Sequence, residues 1–284
     1  MTTTTHQFIS FDETTIFYRR LKADFERPKA ITIIIHGLGE HGGRYQTFAE
    51  YLLGLGIESY LPDLRGFGKS GGRRACVSRF SDFHRDLEAL HKFIVRNNKG
   101  IPLFLIGHSF GGLLASSYLA FSCRSKIQGL VLSSPLFGIA VPVPFWKKVA
   151  VLGLSTLCPD YSEPTHVNPV LLTHDQTLLQ LYASDDLIYH KVSARLYHEL
   201  RAMIQKKDQI AKGLTLPVLL LQAGDDFIVS KDQAVQFYDQ LGMADKELEV
   251  YKDFYHEILN ETRRDIVFSR IGFWLLKQLG ITNL

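Results

Sequence analysis

Between Pro102 and Ala115 the chain reads Pro-Leu-Phe-Leu-Ile-Gly-His-Ser-Phe-Gly-Gly-Leu-Leu-Ala. A short apolar run leads into Gly-x-Ser-x-Gly, and small and apolar residues with helical spacing follow. Strand, sharp turn, helix is the order that lifts a serine hydroxyl above the top of a sheet on a strained backbone. Gly107 and Gly111 flank Ser109 because a Cβ at either place would strike neighbouring backbone. A bare Gly-x-Ser-x-Gly carries little information. Set between a buried-type strand and a helix, it predicts a nucleophile whose partners lie on later loops of the same sheet.

Four further apolar runs have strand length: Ile31–Ile35, Ile57–Leu61, Leu130–Leu132 and Val218–Leu221. Like Leu103–Ile106 they are rich in Ile, Val and Leu without polar alternation, as parallel strands covered on both faces should be. Helical patterns separate them. Phe83, Leu87, Leu90 and Ile94 repeat at helical spacing within Ser81–Asn98, and Gly100 stops the pattern. Phe110–Phe121, Lys231–Leu241 and Arg263–Leu279 read the same way. Thr15–Arg20 and Glu247–Lys252 are expected as strands at the two ends of the sheet, and the opening Thr run reads as low complexity. The alternation predicts an α/β fold, a doubly wound, mostly parallel eight-stranded sheet flanked by helices. At 284 residues, 46% hydrophobic, the chain can bury such a core as one large domain with an insertion.

The insertion is visible as a break in the alternation. From Leu136 to about Ala211 no buried-type strand occurs. An apolar stretch, Ile139–Leu154, precedes a polar one with Pro159, Pro164 and Pro169, and a helical pattern follows around Ala194–Gln209. Residues 136–211 are therefore expected as a helical cap over the C-terminal edge of the sheet, with residues 1–135 and 212–284 forming the core. Val141, Val143, Phe145, Trp146, Val149, Leu152 and Leu154 are too apolar for an exposed loop. They line a tunnel in one reading. In the other, some face outward onto lipid, with Lys147 and Lys148 near headgroups, giving peripheral membrane contact through the cap.

A serine hydroxyl is a poor nucleophile at its own pKa, so it needs a base within reach and a group that orients the base. In a sheet with the serine elbow first, acid and His should follow in that order. After Val218–Ala223 comes Gly224-Asp-Asp-Phe-Ile-Val229, and after Leu248–Lys252 comes Asp253-Phe-Tyr-His-Glu257. His256 is the expected base. Asp225 and Asp226 both fall in the acidic loop; the longer reach of Asp226 and the apolar anchor behind it favour that residue. An oxyanion needs backbone N–H donors. Phe110, next to the serine, is one, and Leu38 in His36-Gly-Leu-Gly39 is the other, since the glycines let the loop behind Ile33–Ile35 turn its amides inward.

Other chemistries find less support. The Gly-rich loop lacks the Gly-Lys-Ser/Thr of a phosphate-binding loop, and the eleven His include no His-Glu-x-x-His or Cys/His cluster, so no metal is expected. The net charge of +3, with mixed signs along the chain, does not suggest nucleic acid. Cys76, Cys123 and Cys158 are few, odd in number and far apart, which fits a reducing, cytoplasmic setting. The start lacks the basic and apolar regions of a secretory signal, and no apolar run approaches the length of a membrane span.

Taken together, His36-Gly-Leu-Gly-Glu-His-Gly-Gly-Arg-Tyr45, Asp63-Leu-Arg-Gly-Phe-Gly-Lys-Ser70, Gly107-His-Ser-Phe-Gly-Gly112, Ser134-Pro-Leu136, Ser184-Asp-Asp-Leu-Ile188, the Asp226 loop and Tyr255-His256-Glu257 resemble the α/β-hydrolase fold, and within it the monoacylglycerol lipase/lysophospholipase family. The resemblance runs over nearly the whole chain. It implies a Ser109–Asp226–His256 triad, oxyanion donors at Leu38 and Phe110, and no cofactor. It also implies that Glu40 and Arg44, with His108, shape a pocket for a glycerol headgroup; the alternative for Glu40 and Arg44 is an ion pair that holds the oxyanion loop. Asp63 and Arg65 match a motif read as structural. The implied activity is hydrolysis of single-acyl-chain lipid esters, monoacylglycerol foremost. Lysophospholipase and broad carboxylesterase activity are the nearer alternatives, peptidase activity or non-catalytic binding the more distant ones. A serine at the elbow disfavours chemistry that needs an Asp nucleophile.

Overall fold

The computed structural model describes residues 2–23, 27–123, 127–140, 151, 153–165 and 167–281. Eight strands form one sheet: β1 (Thr2–Ile9), β2 (Thr15–Lys22), β3 (Ala30–Ile35), β4 (Ile57–Pro62), β5 (Leu103–His108), β6 (Gly129–Ser133), β9 (Val218–Ala223) and β10 (Lys246–Tyr251). They lie in the order β1-β2-β4-β3-β5-β6-β9-β10. β2 runs antiparallel to both β1 and β4, and every other pairing in this sheet is parallel.

Strand period divides the core between two faces. Ile31, Ile33 and Ile35 of β3 and Leu103 and Leu105 of β5 join one cluster. Their neighbours Ala30, Ile34, Phe104 and Ile106 join the other. The first is covered by helices α2 (Phe80–Asn97) and α3 (Phe110–Phe121), the second by α1 (Gln46–Gly54) and α8 (Arg264–Gln278). On α2 the expected Phe83, Leu87, Leu90 and Ile94 are the residues that face the sheet.

Three expectations need correction. The Thr-rich start is strand β1, so Thr15–Arg20 lies one place in from the edge. The cap holds a short antiparallel pair, β7 (Ser162–Pro164) and β8 (Lys191–Ser193), besides helix α4 (Gln176–Ser184). The helical pattern around Ala194–Gln209 is two helices, α5 (Ala194–Ile204) and α6 (Lys207–Gly213), broken at Gln205 and Lys206. Ile210 and Ala211 of α6 sit in the same core cluster as α3. Helix α7 (Lys231–Gln240) starts at Ser230, whose hydroxyl accepts from the Gln233 amide.

Among the described residues, no helix is long and apolar enough to cross a membrane. Val141, Val143, Phe145, Trp146, Lys147, Lys148, Val149 and Leu152 lie outside the described residues; residues 153–157 are helical. The loops after β3, β5, β9 and β10 all leave the same edge of the sheet, and there the site is built.

Candidate active site

Ser109 caps the start of α3 with φ 52° and ψ −117°, a left-handed conformation that costs a non-glycine residue about 1–3 kcal/mol. Its neighbours leave no alternative path. A Cβ on Gly107 would meet the backbone of Gly111 and Gly112, and one on Gly111 would meet the carbonyl oxygens of Ile35 and His36. The Ser109 amide donates to the Ser133 carbonyl of β6 at 2.9 Å, and the Ser109 carbonyl accepts from Leu136 N at 3.0 Å. Strand β5, helix α3 and the chain leaving β6 thus pin the turn from three sides.

The loops after β9 and β10 are stitched to each other. Gly224 N donates to Tyr251 O at 2.8 Å and Asp225 N to Phe254 O at 3.1 Å. This brings His256 Nδ1 to 2.8 Å from Asp226 Oδ2. Asp226 also accepts from the amides of Ile228 and Val229, each at 2.9 Å, and from Gln222 Nε2 at 3.1 Å. Burial by itself would raise its carboxyl, but the His256 charge and these donors hold it below the usual range. Burial likewise disfavours a charged His256, yet the Asp226 carboxylate outweighs it and raises the imidazole pKa. With Nδ1–H engaged by Asp226, Nε2 is the acceptor nitrogen of the neutral ring. His256 and Ser109 line the same cavity.

The loop after β3 presents Leu38 to that cavity. Neither the Leu38 nor the Phe110 amide donates to an acceptor among the described residues, and Phe110 N is one of the donors a helix start leaves unpaired. His36 is not part of the chemistry: its Nδ1 donates to Gly37 O at 2.7 Å and its Nε2 accepts from Leu64 N at 2.8 Å. Burial keeps it neutral. The cap grips this loop from outside, through Tyr189 N on Gly39 O at 2.7 Å and Asp185 Oδ2 on His41 Nε2 at 2.7 Å.

Glu40 and Arg44 do form the ion pair, and a third residue completes it. Arg44 Nη1 donates to Glu40 Oε2 and to Glu257 Oε1, both at 2.8 Å, and Nη2 to Glu257 Oε2 at 2.7 Å. Glu40 Oε1 accepts from the Gly37 amide and, at 2.6 Å, from the Tyr45 hydroxyl. Burial pushes the Glu40 carboxyl up, but Arg44 holds it down at about 2. Glu40, Arg44 and Glu257 still line the cavity, with Tyr182 of α4 stacked under the guanidinium at 4.9 Å. His108 lines it too, with Nδ1 3.1 Å from Ser133 O and its ring 4.8 Å from that of His256. Burial, helped by the His256 charge, drives its pKa down to about 3. It is a neutral wall of the site.

Asp63 and Arg65 prove structural. Asp63 holds Arg19 at 2.8 Å and the Gly42 amide at 2.9 Å, and Arg65 holds Asp86 at 2.6 Å and Asp12 at 2.8 Å. Residue reading missed Gln222, Asp185 and Glu257. Glu257 directly follows the base, but only the fold brings it to Arg44. Among the described residues no group of three or more His, Cys, Asp or Glu converges as a metal site would.

The cavity encloses about 350 Å³ and is mostly apolar, with walls from Leu136, Leu154, Leu172, Val192, Leu200 and Ile228. A serine elbow and an Asp–His pair that open on one apolar cavity, with two amides that lack an acceptor among the described residues, define a serine hydrolase of the α/β-hydrolase class. A family model described as serine aminopeptidase, S33, matches residues 26–263, and the chain belongs to that family. It is 32% identical to monoglyceride lipase of Homo sapiens over 255 residues, 87% of this chain and 82% of that protein. It is 31% identical to phospholipase YtpA of Bacillus subtilis (strain 168) over 250 residues, 87% of this chain and 95% of that protein. Among solved structures, a soluble variant of monoglyceride lipase from Saccharomyces cerevisiae, in complex with a substrate analog, is similar with a TM-score of 0.85. Its identity is 26%, over 96% of this chain and 94% of that one.

Proposed function

We propose that the chain is a carboxylic-ester hydrolase of single-acyl-chain lipids, cleaving monoacylglycerol to fatty acid and glycerol. One observation carries the reading: Ser109 and the Asp226–His256 pair open into an apolar cavity that also holds the polar Glu40–Arg44–Glu257 cluster. Its likeness to monoglyceride lipases from human and yeast supports the substrate class.

In this mechanism His256 Nε2 takes the Ser109 proton as Oγ attacks the ester carbonyl, and Asp226 orients and stabilises the imidazolium. The Leu38 and Phe110 amides hold the oxyanion. As the tetrahedral intermediate collapses, His256 gives the proton to the departing glycerol oxygen and the acyl group remains on Ser109. Water then enters, gives a proton to His256 and attacks the acyl carbon. The fatty acid leaves and the proton returns to Ser109. The Arg44 cluster borders the glycerol, while residues 136–211 act as the cap over the acyl chain.

Turnover of monoacylglycerol, lysophospholipid, diacylglycerol and short esters tests the substrate assignment, with Ser109→Ala as control. Monoacylglycerol should be best, and Ser109→Ala should lose activity by about a million-fold. A preference for lysophospholipid or for short esters would overturn it. We also propose that the protein works in the cytoplasm and meets lipid surfaces through the cap, where Leu157, Val170 and Leu181 are exposed. Co-flotation with vesicles that is lost in Leu157→Ser/Leu181→Ser supports this, and no flotation of the unaltered protein refutes it.

A further inference from the structure

Two of the described residues lining the cavity are cations, and they are held differently. Arg44 is tied to Glu40 and Glu257. Arg201 is not: no hydrogen bond or ion pair joins its guanidinium to a described residue. Helix α5 shows why. Leu196 and Met203 are buried toward the core, while Tyr197, Leu200, Arg201 and Ile204 share the neighbouring face and line the cavity. Arg195 on this helix finds Glu199 one turn away, at 2.7 Å. Glu199 is two residues from Arg201 and so faces elsewhere. Glu163 also lines the cavity but is engaged by other groups, including the Tyr161 hydroxyl at 3.2 Å. The cap residues outside the described set, 141–150, 152 and 166, include no Asp or Glu.

A half-buried guanidinium over apolar walls carries a desolvation cost that a matching oxyanion offsets, and its planar fork suits carboxylate and phosphate alike. We propose that Arg201 is an anion-binding position on the cap wall of the cavity, taking the carboxylate or phosphate of an amphiphile whose alkyl chain lies against the apolar residues. This goes beyond the ester-hydrolase reading and rests on it only in treating the cavity as a lipid pocket. It gives the cavity two polar positions with different preferences: one at Arg44, where two carboxylates already occupy the guanidinium, and an unpaired positive one at Arg201. A released fatty acid and a phospholipid headgroup are the two sources of such an anion.

The test is calorimetric binding to the Ser109→Ala protein, which removes turnover from the readout. The probes are dodecanoate, dodecyl phosphate and a glycerol monododecyl ether, each below its micellar concentration. The anions should bind roughly tenfold or more tightly than the neutral ether. In the Arg201→Gln background that preference should disappear while ether binding persists, which also shows that the variant is folded. Arg201→Lys should keep part of it. A preference confined to dodecyl phosphate supports a lipid phosphate as occupant, and one that includes dodecanoate supports the released acid as well. An anion preference that survives Arg201→Gln, or none in the Arg201 protein, overturns the proposal. Failure of the neutral ether to bind would instead count against the lipid-pocket reading.

Discussion

At the scale of single residues, the site separates groups that titrate in the working range from groups that do not. His108 is held neutral by burial down to about pH 3, while His256 is raised above the ordinary imidazole value of about 6.5 by Asp226. A base must be neutral to accept the serine proton, so activity falls as pH drops through the His256 pKa. The acidic limb of kcat/KM should therefore be a single titration centred above about 6.5. Asp226→Asn should move that limb to lower pH and reduce kcat by about 10⁴-fold, as loss of the orienting acid does in other triads. A limb below 6 in the unaltered enzyme would contradict the assignment. Glu257 answers to a different measurement. Its removal leaves Arg44 paired with Glu40 but without the two charge-assisted hydrogen bonds to Glu257, each worth about 1.5–3 kcal/mol. Glu257→Ala should lower the urea midpoint accordingly; an unchanged midpoint would mean the cluster contributes no stability.

At the scale of elements, the elbow is where local rules and global packing meet. Gly111 sits against the carbonyl oxygens of Ile35 and His36, backbone that cannot move without shifting β3 and the loop carrying Leu38. Gly111→Ala should cost about 3 kcal/mol or more and most of the activity together. Gly54, at the end of α1 with nothing within 4 Å of its would-be Cβ, is the control. Gly54→Ala should be neutral or stabilise by up to about 1 kcal/mol in thermal unfolding. The same contrast explains what the sequence made legible. Central strands such as β3, β5 and β9 are buried on both faces, so their composition announces them. β1 has no buried face: its eight residues are exposed or half-buried, and Thr at consecutive positions has strand propensity but no period to read. The three-residue strands β7 and β8 are too short to carry a pattern. Ser109, Asp226 and His256, the proposed triad, could be placed from the residues alone because each follows a legible strand. Glu257 and Asp185 meet their partners across the fold, at Arg44 and His41, and no local spacing encodes that.

At the scale of the whole molecule, several imidazoles belong to the polar interior. His36, His84, His91 and His108 are all buried, and burial lowers the pKa of each, to about 4 for His84 and about 3 for His108. His84 lies between Ser117 Oγ at 2.9 Å and Ser122 Oγ at 3.0 Å, and the Nε2 of His91 is buried without a partner among the described residues. Below the unfolded value of about 6.5 the unfolded chain takes up protons that the native state refuses, so stability is lost as pH falls. The loss for each group runs from about 6.5 down to its native pKa, at about 1.4 kcal/mol per pH unit. His84 and His108 alone should remove about 4 kcal/mol between pH 7 and 5, against a typical total of about 5–15. His256 and Asp86 act in the opposite sense, since their native pKa values are raised. The His256 contribution is already complete below about 6.5, so it cannot offset the fall beneath that pH. Asp226 and Glu40, both lowered, release their stabilisation only in the carboxylate range. Urea midpoints should therefore drop steeply from pH 7 to 5, well before carboxylates titrate. His84→Gln, which keeps a donor and an acceptor for the two serines, should flatten the slope by about one proton, or 1.4 kcal/mol per pH unit. Equal midpoints at pH 7 and 5, or a slope that His84→Gln leaves unchanged, would show that these histidines do not set the acid limit of the fold.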